Sequence, residues 1–81
     1  MTEEYPIKLE AKSAFAYNSA TAIIIGLSNS RQLGEDGKMH YFLDAAKTQG
    51  VRTDISRRTI ELSNRIDPET LDDIKHVLGE R

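Results

Sequence analysis

The chain has 81 residues, 38% hydrophobic and 30% charged, which makes one small domain with a thin core and no room for a second. It contains no cysteine, so disulfide frameworks, thiolate zinc sites and cysteine nucleophiles are excluded. The net charge of −2 does not advertise a nucleic-acid partner, and three Tyr, two Phe and no Trp leave little aromatic bulk for the core. Cores of this kind are often completed by a partner or by a second copy of the chain.

The first residues, "MTEEYPIKLE", are charged and lack an apolar h-region, so they do not read as a signal peptide. The longest apolar run, Ala22–Leu27, is too short to span a bilayer. These features predict a soluble, cytoplasmic protein with no membrane contact.

Tyr5, Ile7 and Leu9 alternate with Lys8 and Glu10, the period of a half-buried strand, and Pro6 suits its start or an edge. After a short connection around "KSAFAYNS", the β-branched run "TAIIIGLS" predicts a central strand buried on both faces. The connection is too short for a crossover helix, so the two strands are expected to pair antiparallel. "NSRQLGEDGK" is a loop by composition. Met39, Phe42, Leu43 and Ala46 then follow helical spacing, which predicts an amphipathic helix over Lys38–Gln49 with Asp36 as N-cap and Gly50 as a left-handed C-terminal residue.

The C-terminal segment carries the strongest local signals. Asp67 can cap, Pro68 fits the first helical position, and Glu69, Asp72 and Asp73 complement the positive end of the helix dipole. Leu71, Ile74 and Leu78 form its apolar stripe, and Gly79 stops it. Between the two expected helices, residues 56–65 fit two descriptions. As a strand, Ile60 and Leu62 point one way and Thr59 and Glu61 the other. As a helix capped by Ser56, Thr59, Leu62 and Ile66 share a side. The fold class that follows is α+β, a small single domain over residues 1–81 with an N-terminal antiparallel β-pair followed by two or three helices.

Charge is unevenly spread along the chain. From Arg52 to Arg65 there are four arginines against Asp54 and Glu61, a local +2, and the next residues reverse the sign. Such a strip either meets a phosphate backbone on one side or is a solvated face of alternating charge.

"ISRRTI" resembles the start of the recognition helix in phage-repressor-type helix-turn-helix DNA-binding domains. "IDPETLDDIKHVLG" resembles the closing helix of the same family, and the likeness covers residues 55–80. It implies that Ser56 fixes a helix start, that Arg57 and Arg58 reach base edges, and that Thr59 meets a phosphate. The chain departs from the family where "RTD" lies between "TQGV" and the Ser and where Ser63 stands at an apolar position. A weaker likeness, over "DAAKTQGVRTDISRRT" and "LSNRIDPET", is to small bacterial regulators of extracellular-matrix genes. Those are α+β, oligomeric and bind DNA through arginines, so this likeness accepts a strand while keeping Arg57 and Arg58 on DNA.

The leading expectation is a small DNA-binding transcriptional regulator, a homodimer or higher oligomer on double-stranded DNA, using Arg52, Ser56, Arg57, Arg58, Thr59 and Arg65. The alternative is a small protein-binding inhibitor or accessory module that blocks a partner's surface without catalysis. The overall acidity, the thin core and a possible DNA-like cluster of Asp67, Glu69, Asp72 and Asp73 speak for it. No enzyme, cofactor or metal is expected. His40 and His76 belong to no catalytic spacing, and Asp72 with His76 reads as a surface pair on one helix face rather than half of a metal site.

Overall fold

The computed structural model describes residues 5–46 and 48–79; the two ends of the expected 1–81 domain, Lys47 of the expected helix and the first four residues of the N-terminal reading lie outside them. The elements run β1 (Ile7–Glu10), α1 (Ala14–Leu27), β2 (Ser30–Leu33), β3 (Met39–Phe42), β4 (Gln49–Asp54), β5 (Thr59–Leu62) and α2 (Pro68–Leu78). The strands form one sheet of five in the order β1-β5-β4-β3-β2, antiparallel throughout.

This overturns the expected β-pair followed by two or three helices. The run "TAIIIGLS" belongs to α1, whose N-cap Ser13 accepts a hydrogen bond from the Ala16 N–H at 3.1 Å. Four alanines and the cap lower the cost of helix formation, while Tyr17, Ala20 and Ile24 at helical spacing give it a buried stripe. Local β-propensity at Ile23–Ile25 is overridden because a helix can cover the sheet. With that strand gone, β1 pairs with β5 instead, setting Ile7 opposite Leu62 and Leu9 opposite Ile60.

The expected helix at 38–49 is also corrected. "GEDGK" makes a tight turn, with Gly37 at φ +79° and the Gly37 N–H bonded to Gly34 O at 3.1 Å, and β3 follows directly. Asp36 caps that turn, accepting from the Lys38 N–H at 2.9 Å, rather than a helix. Met39 and Phe42 fit helical spacing, but Met39 and Tyr41 fit strand alternation equally well, and pairing with β2 and β4 decides. Gly50 lies inside β4 rather than at a helix end. A Cβ there would strike the Leu43 side chain, so any larger residue at this position needs Leu43 to move aside.

The C-terminal helix stands where its caps put it. Asp67 accepts from the Thr70 N–H at 3.2 Å, Pro68 opens the helix, and Gly79 closes it at φ +82°. Both helices lie on one face of the sheet and pack on each other. Ile24, Val51, Ile60, Leu62 and Ile74 are fully buried between these layers, and Leu78 is 1% exposed. Each such burial contributes about 1.5–3 kcal/mol relative to exposure. The opposite face of the sheet carries Lys8, Glu10, His40, Arg52, Asp54, Thr59 and Glu61, and no helix among the described residues covers it.

Candidate interaction surfaces

Residues 55–58, "ISRR", are the turn of the β4–β5 hairpin and not the start of a helix. The strand alternative for the ambiguous segment is the one the chain adopts over Thr59–Leu62. Asp54 caps the turn: its Oδ1 accepts from the Ser56 N–H at 3.0 Å and from the Arg57 N–H at 3.4 Å. The capping role expected of Ser56 therefore belongs to Asp54. Arg58 closes the loop at φ +54°, the left-handed position common in four-residue hairpin loops.

The hairpin separates the arginines that the sequence grouped. Arg57 and Arg58 are exposed at the tip, and neither has an ion-pair partner among the described residues. Arg52 is on the open sheet face, its Nε 2.7 Å from Glu61 Oε1 and its guanidinium 4.4 Å from the Tyr5 ring centroid. Arg65 lies beyond the far end of β5, with Nη2 3.7 Å from Asp44 Oδ2. Thr59 is half-buried at the start of β5 and is the residue paired with Asp54. Only two of the four arginines are thus turned to solvent together, because a hairpin sends its tip and its far strand ends in opposite directions.

The open face is electrostatically self-satisfied around Glu61. Burial pushes the Glu61 carboxyl upward, but hydrogen bonds from Lys38 and Arg52 outweigh that and hold it below the usual glutamate value. Lys38 Nζ and Arg52 Nε both lie 2.7 Å from the same Oε1. Beside this pair, His40 Nε2 is 3.0 and 3.1 Å from the two Asp36 oxygens, and Arg52 Nη1 is 3.9 Å from Asp36. The contact with His40, followed by the Lys38 N–H, holds the Asp36 carboxyl below its ordinary value. Lys8, Glu10, Asp54 and Arg57 border a groove of about 610 Å³ on this face, where both signs of charge are interleaved. A surface so mixed gives no single-sign field to steer a polyanion.

The helix-covered side presents a different surface. α1 lies across β4 and β3, where burial pushes the Tyr17 phenol up against a countering hydrogen bond with Thr53. Beyond α1 the sheet is uncovered. Leu33 is 64% exposed, Ile55 74% and Ile25 43%, and all three line one groove of about 240 Å³ together with Met39, Tyr17 and Tyr41. The groove runs beside β2, whose outer side pairs with no strand among the described residues. Phe15 is 80% exposed and does not line the groove.

Sequence reasoning singled out Arg52, Arg57, Arg58 and Arg65 and missed Leu33, Ile55 and Ile25. Ile25 was hidden in a run of three isoleucines, and Leu33 and Ile55 stood alone among polar neighbours. Among the described residues no group of His, Asp or Glu side chains converges to hold a metal ion, and Asp72 and His76 are exposed on α2. No helix among them is long and apolar enough to cross a membrane. Set against family models, curated proteins and solved structures, the chain matches none.

Proposed function

We propose that the protein is a small binding module that works by docking on another protein chain, without catalysis, through the apolar groove beside β2. One observation carries this reading. Leu33, Ile25 and Ile55, three of the five large hydrophobic side chains left exposed among the described residues, gather around one groove at the rim of the core, whereas Leu27 and Phe15 lie outside it. Leaving such side chains in water forfeits burial energy unless something covers them. The centre of the open face supports the reading by contrast, since Glu61 is already paired with Lys38 and Arg52, and Asp36 with His40.

The reading is tested by placing a photo-crosslinking side chain at Leu33 or, as a control, at Glu10, and irradiating cells of the native host. A protein adduct formed from position 33, absent from position 10 and lost in Ile25→Asp, is expected. Adducts formed only from position 10 would overturn it.

A second reading keeps the DNA partner and rests on the hairpin tip, where Arg57 and Arg58 are exposed and lack ion pairs among the described residues. A β-ribbon can enter a DNA groove with such side chains. In this reading the contacts come from Arg57 and Arg58 alone, because Arg52 and Arg65 are held elsewhere. Duplex binding with a salt slope that Arg57→Ala and Arg58→Ala flatten is its signature; no duplex binding at low salt removes it.

A further inference from the structure

We propose that the groove over Thr59 on the open sheet face is a binding site for a free dibasic amino acid of the lysine class. The strand register builds it. Glu10 and Asp54 are both partners of Thr59 in the ladder, so the three side chains stand in one row on one face. The two acidic residues flank the threonine at a backbone separation of about 10 Å, two strand spacings. A short side chain between longer ones leaves a hollow, and Arg57 lines it from the hairpin turn. The groove has a volume of about 610 Å³, enough for one small molecule, and it shares no lining residue with the apolar groove beside β2.

Charge pairing selects the ligand. Among the other charges at this groove, Glu61 is held by Lys38 and Arg52, Asp36 is held by His40, and Lys8 has a partner of its own. Glu10, Asp54 and Arg57 make no ion pair among the described residues. Asp54 Oδ1 is occupied by the turn, where it accepts from the Ser56 and Arg57 N–H groups, and Oδ2 is left over. The unmatched set is therefore two carboxylates and one guanidinium. Its complement is a molecule with two cations and one carboxylate.

A free dibasic amino acid carries that set on one flexible chain. Its α-ammonium and side-chain ammonium, held apart by methylenes, meet Glu10 and Asp54 on either side of Thr59, whose hydroxyl accepts from the nearer one. Its carboxylate meets Arg57, whose planar fork of donors suits a carboxylate. A polyanion would face two like charges here, and a simple diamine would leave Arg57 unmatched. All three ion pairs form in contact with water, so the dissociation constant is expected on the order of 1–10 mM, and each pair changes it about two- to fivefold.

Nitrogen–proton correlation NMR on the full chain, with L-lysine added to about 50 mM at fixed ionic strength, tests the site. Saturating shifts are expected at the amides of Glu10, Asp54, Arg57 and Thr59. Three further probes each lack one charge: norleucine the side-chain ammonium, Nα-acetyl-lysine the α-ammonium, and cadaverine the carboxylate. Each should bind about two- to fivefold more weakly than lysine. Glu10→Gln, Arg57→Gln and Asp54→Asn, the last keeping an oxygen to cap the turn, should weaken lysine by the same factor with the rest of the spectrum in place. If a variant fails to fold, the probe series on the unaltered chain decides. Lysine without saturating shifts overturns the proposal, as does lysine binding indifferent to all three substitutions. Nα-acetyl-lysine equal to lysine would reassign the site to a lysine at a chain end, and cadaverine or norleucine equal to lysine would remove the dibasic amino acid. None of these outcomes bears on a crosslink formed from position 33, so the binding-module reading stands or falls separately.

Discussion

Glu61 and Arg52 face each other across the β4–β5 ladder and meet at 2.7 Å on a sheet face that no helix among the described residues covers. Lys38 reaches the same carboxylate oxygen from the turn before β3, also at 2.7 Å. The arrangement explains how a charged residue is tolerated at 9% exposure in the strand that supplies Ile60 and Leu62 to the core.

The first prediction concerns acid. The folded-state pKa of Glu61 lies below its ordinary value of 4.5, because two charged donors outweigh burial. Its contribution is therefore complete above that ordinary value and is lost as pH falls through the lower, folded value. Asp36 and Asp44 are shifted the same way, by His40 and by the Thr48 N–H. Denaturant midpoints should thus fall as pH drops below about 4.5. Glu61→Gln should be less stable at neutral pH by about 1–3 kcal/mol and should lose less on acidification. Parallel midpoint curves for the two proteins would remove Glu61 from the acid response.

Gly50 gives a steric prediction. Gly50→Ala puts a methyl where the Leu43 side chain sits and should cost about 1–3 kcal/mol in urea unfolding. Trimming the obstacle in Gly50→Ala with Leu43→Ala should cost less than the two single changes added together. Strict additivity would mean that backbone freedom, and not the Leu43 contact, is what position 50 requires.

Arg58 holds a left-handed backbone without being glycine, at φ +54°. Arg58→Gly should therefore raise stability by up to about 1 kcal/mol, whereas Arg57→Gly should not. Thermal unfolding of the two variants distinguishes them. A gain at position 58 that coincided with loss of duplex binding would show arginine retained there against stability for the sake of contact. A loss of stability would mean that the side chain itself braces the turn.

Ile24 and Ile25 are neighbours with opposite fates, one fully buried and the other 43% exposed. Ile24→Ala should cost about 2–5 kcal/mol and Ile25→Ala under about 1 kcal/mol. A strand buried on both faces, as the isoleucine run alone suggests, would make the two costs equal. Equal costs in chemical denaturation would contradict the helical placement of α1.

The local signals that could be read were those with a single physical solution. Asp67-Pro68 followed by Leu71, Ile74 and Leu78 fits one capped helix, and the alternation through Ile7 and Leu9 fits one strand. Where two periodicities fitted the same residues, as at Met39–Leu43 and in "TAIIIGLS", propensity chose the wrong element. The two elements are linked, because a strand at 23–25 would leave no helix to cover the N-terminal half of the sheet.

For the candidate surfaces the division is similar. Composition determined that the chain has no cysteine chemistry and a thin core. Tertiary structure decided that Arg52 is spent on Glu61, that Arg65 lies at the opposite end of the hairpin, and that Leu33, Ile25 and Ile55 meet around one groove. The reason is that strand order, unlike strand period, is set by which long-range pairs bury the most apolar surface together. In this sheet that pairing carried β1 across to β5 and left β2 at the edge.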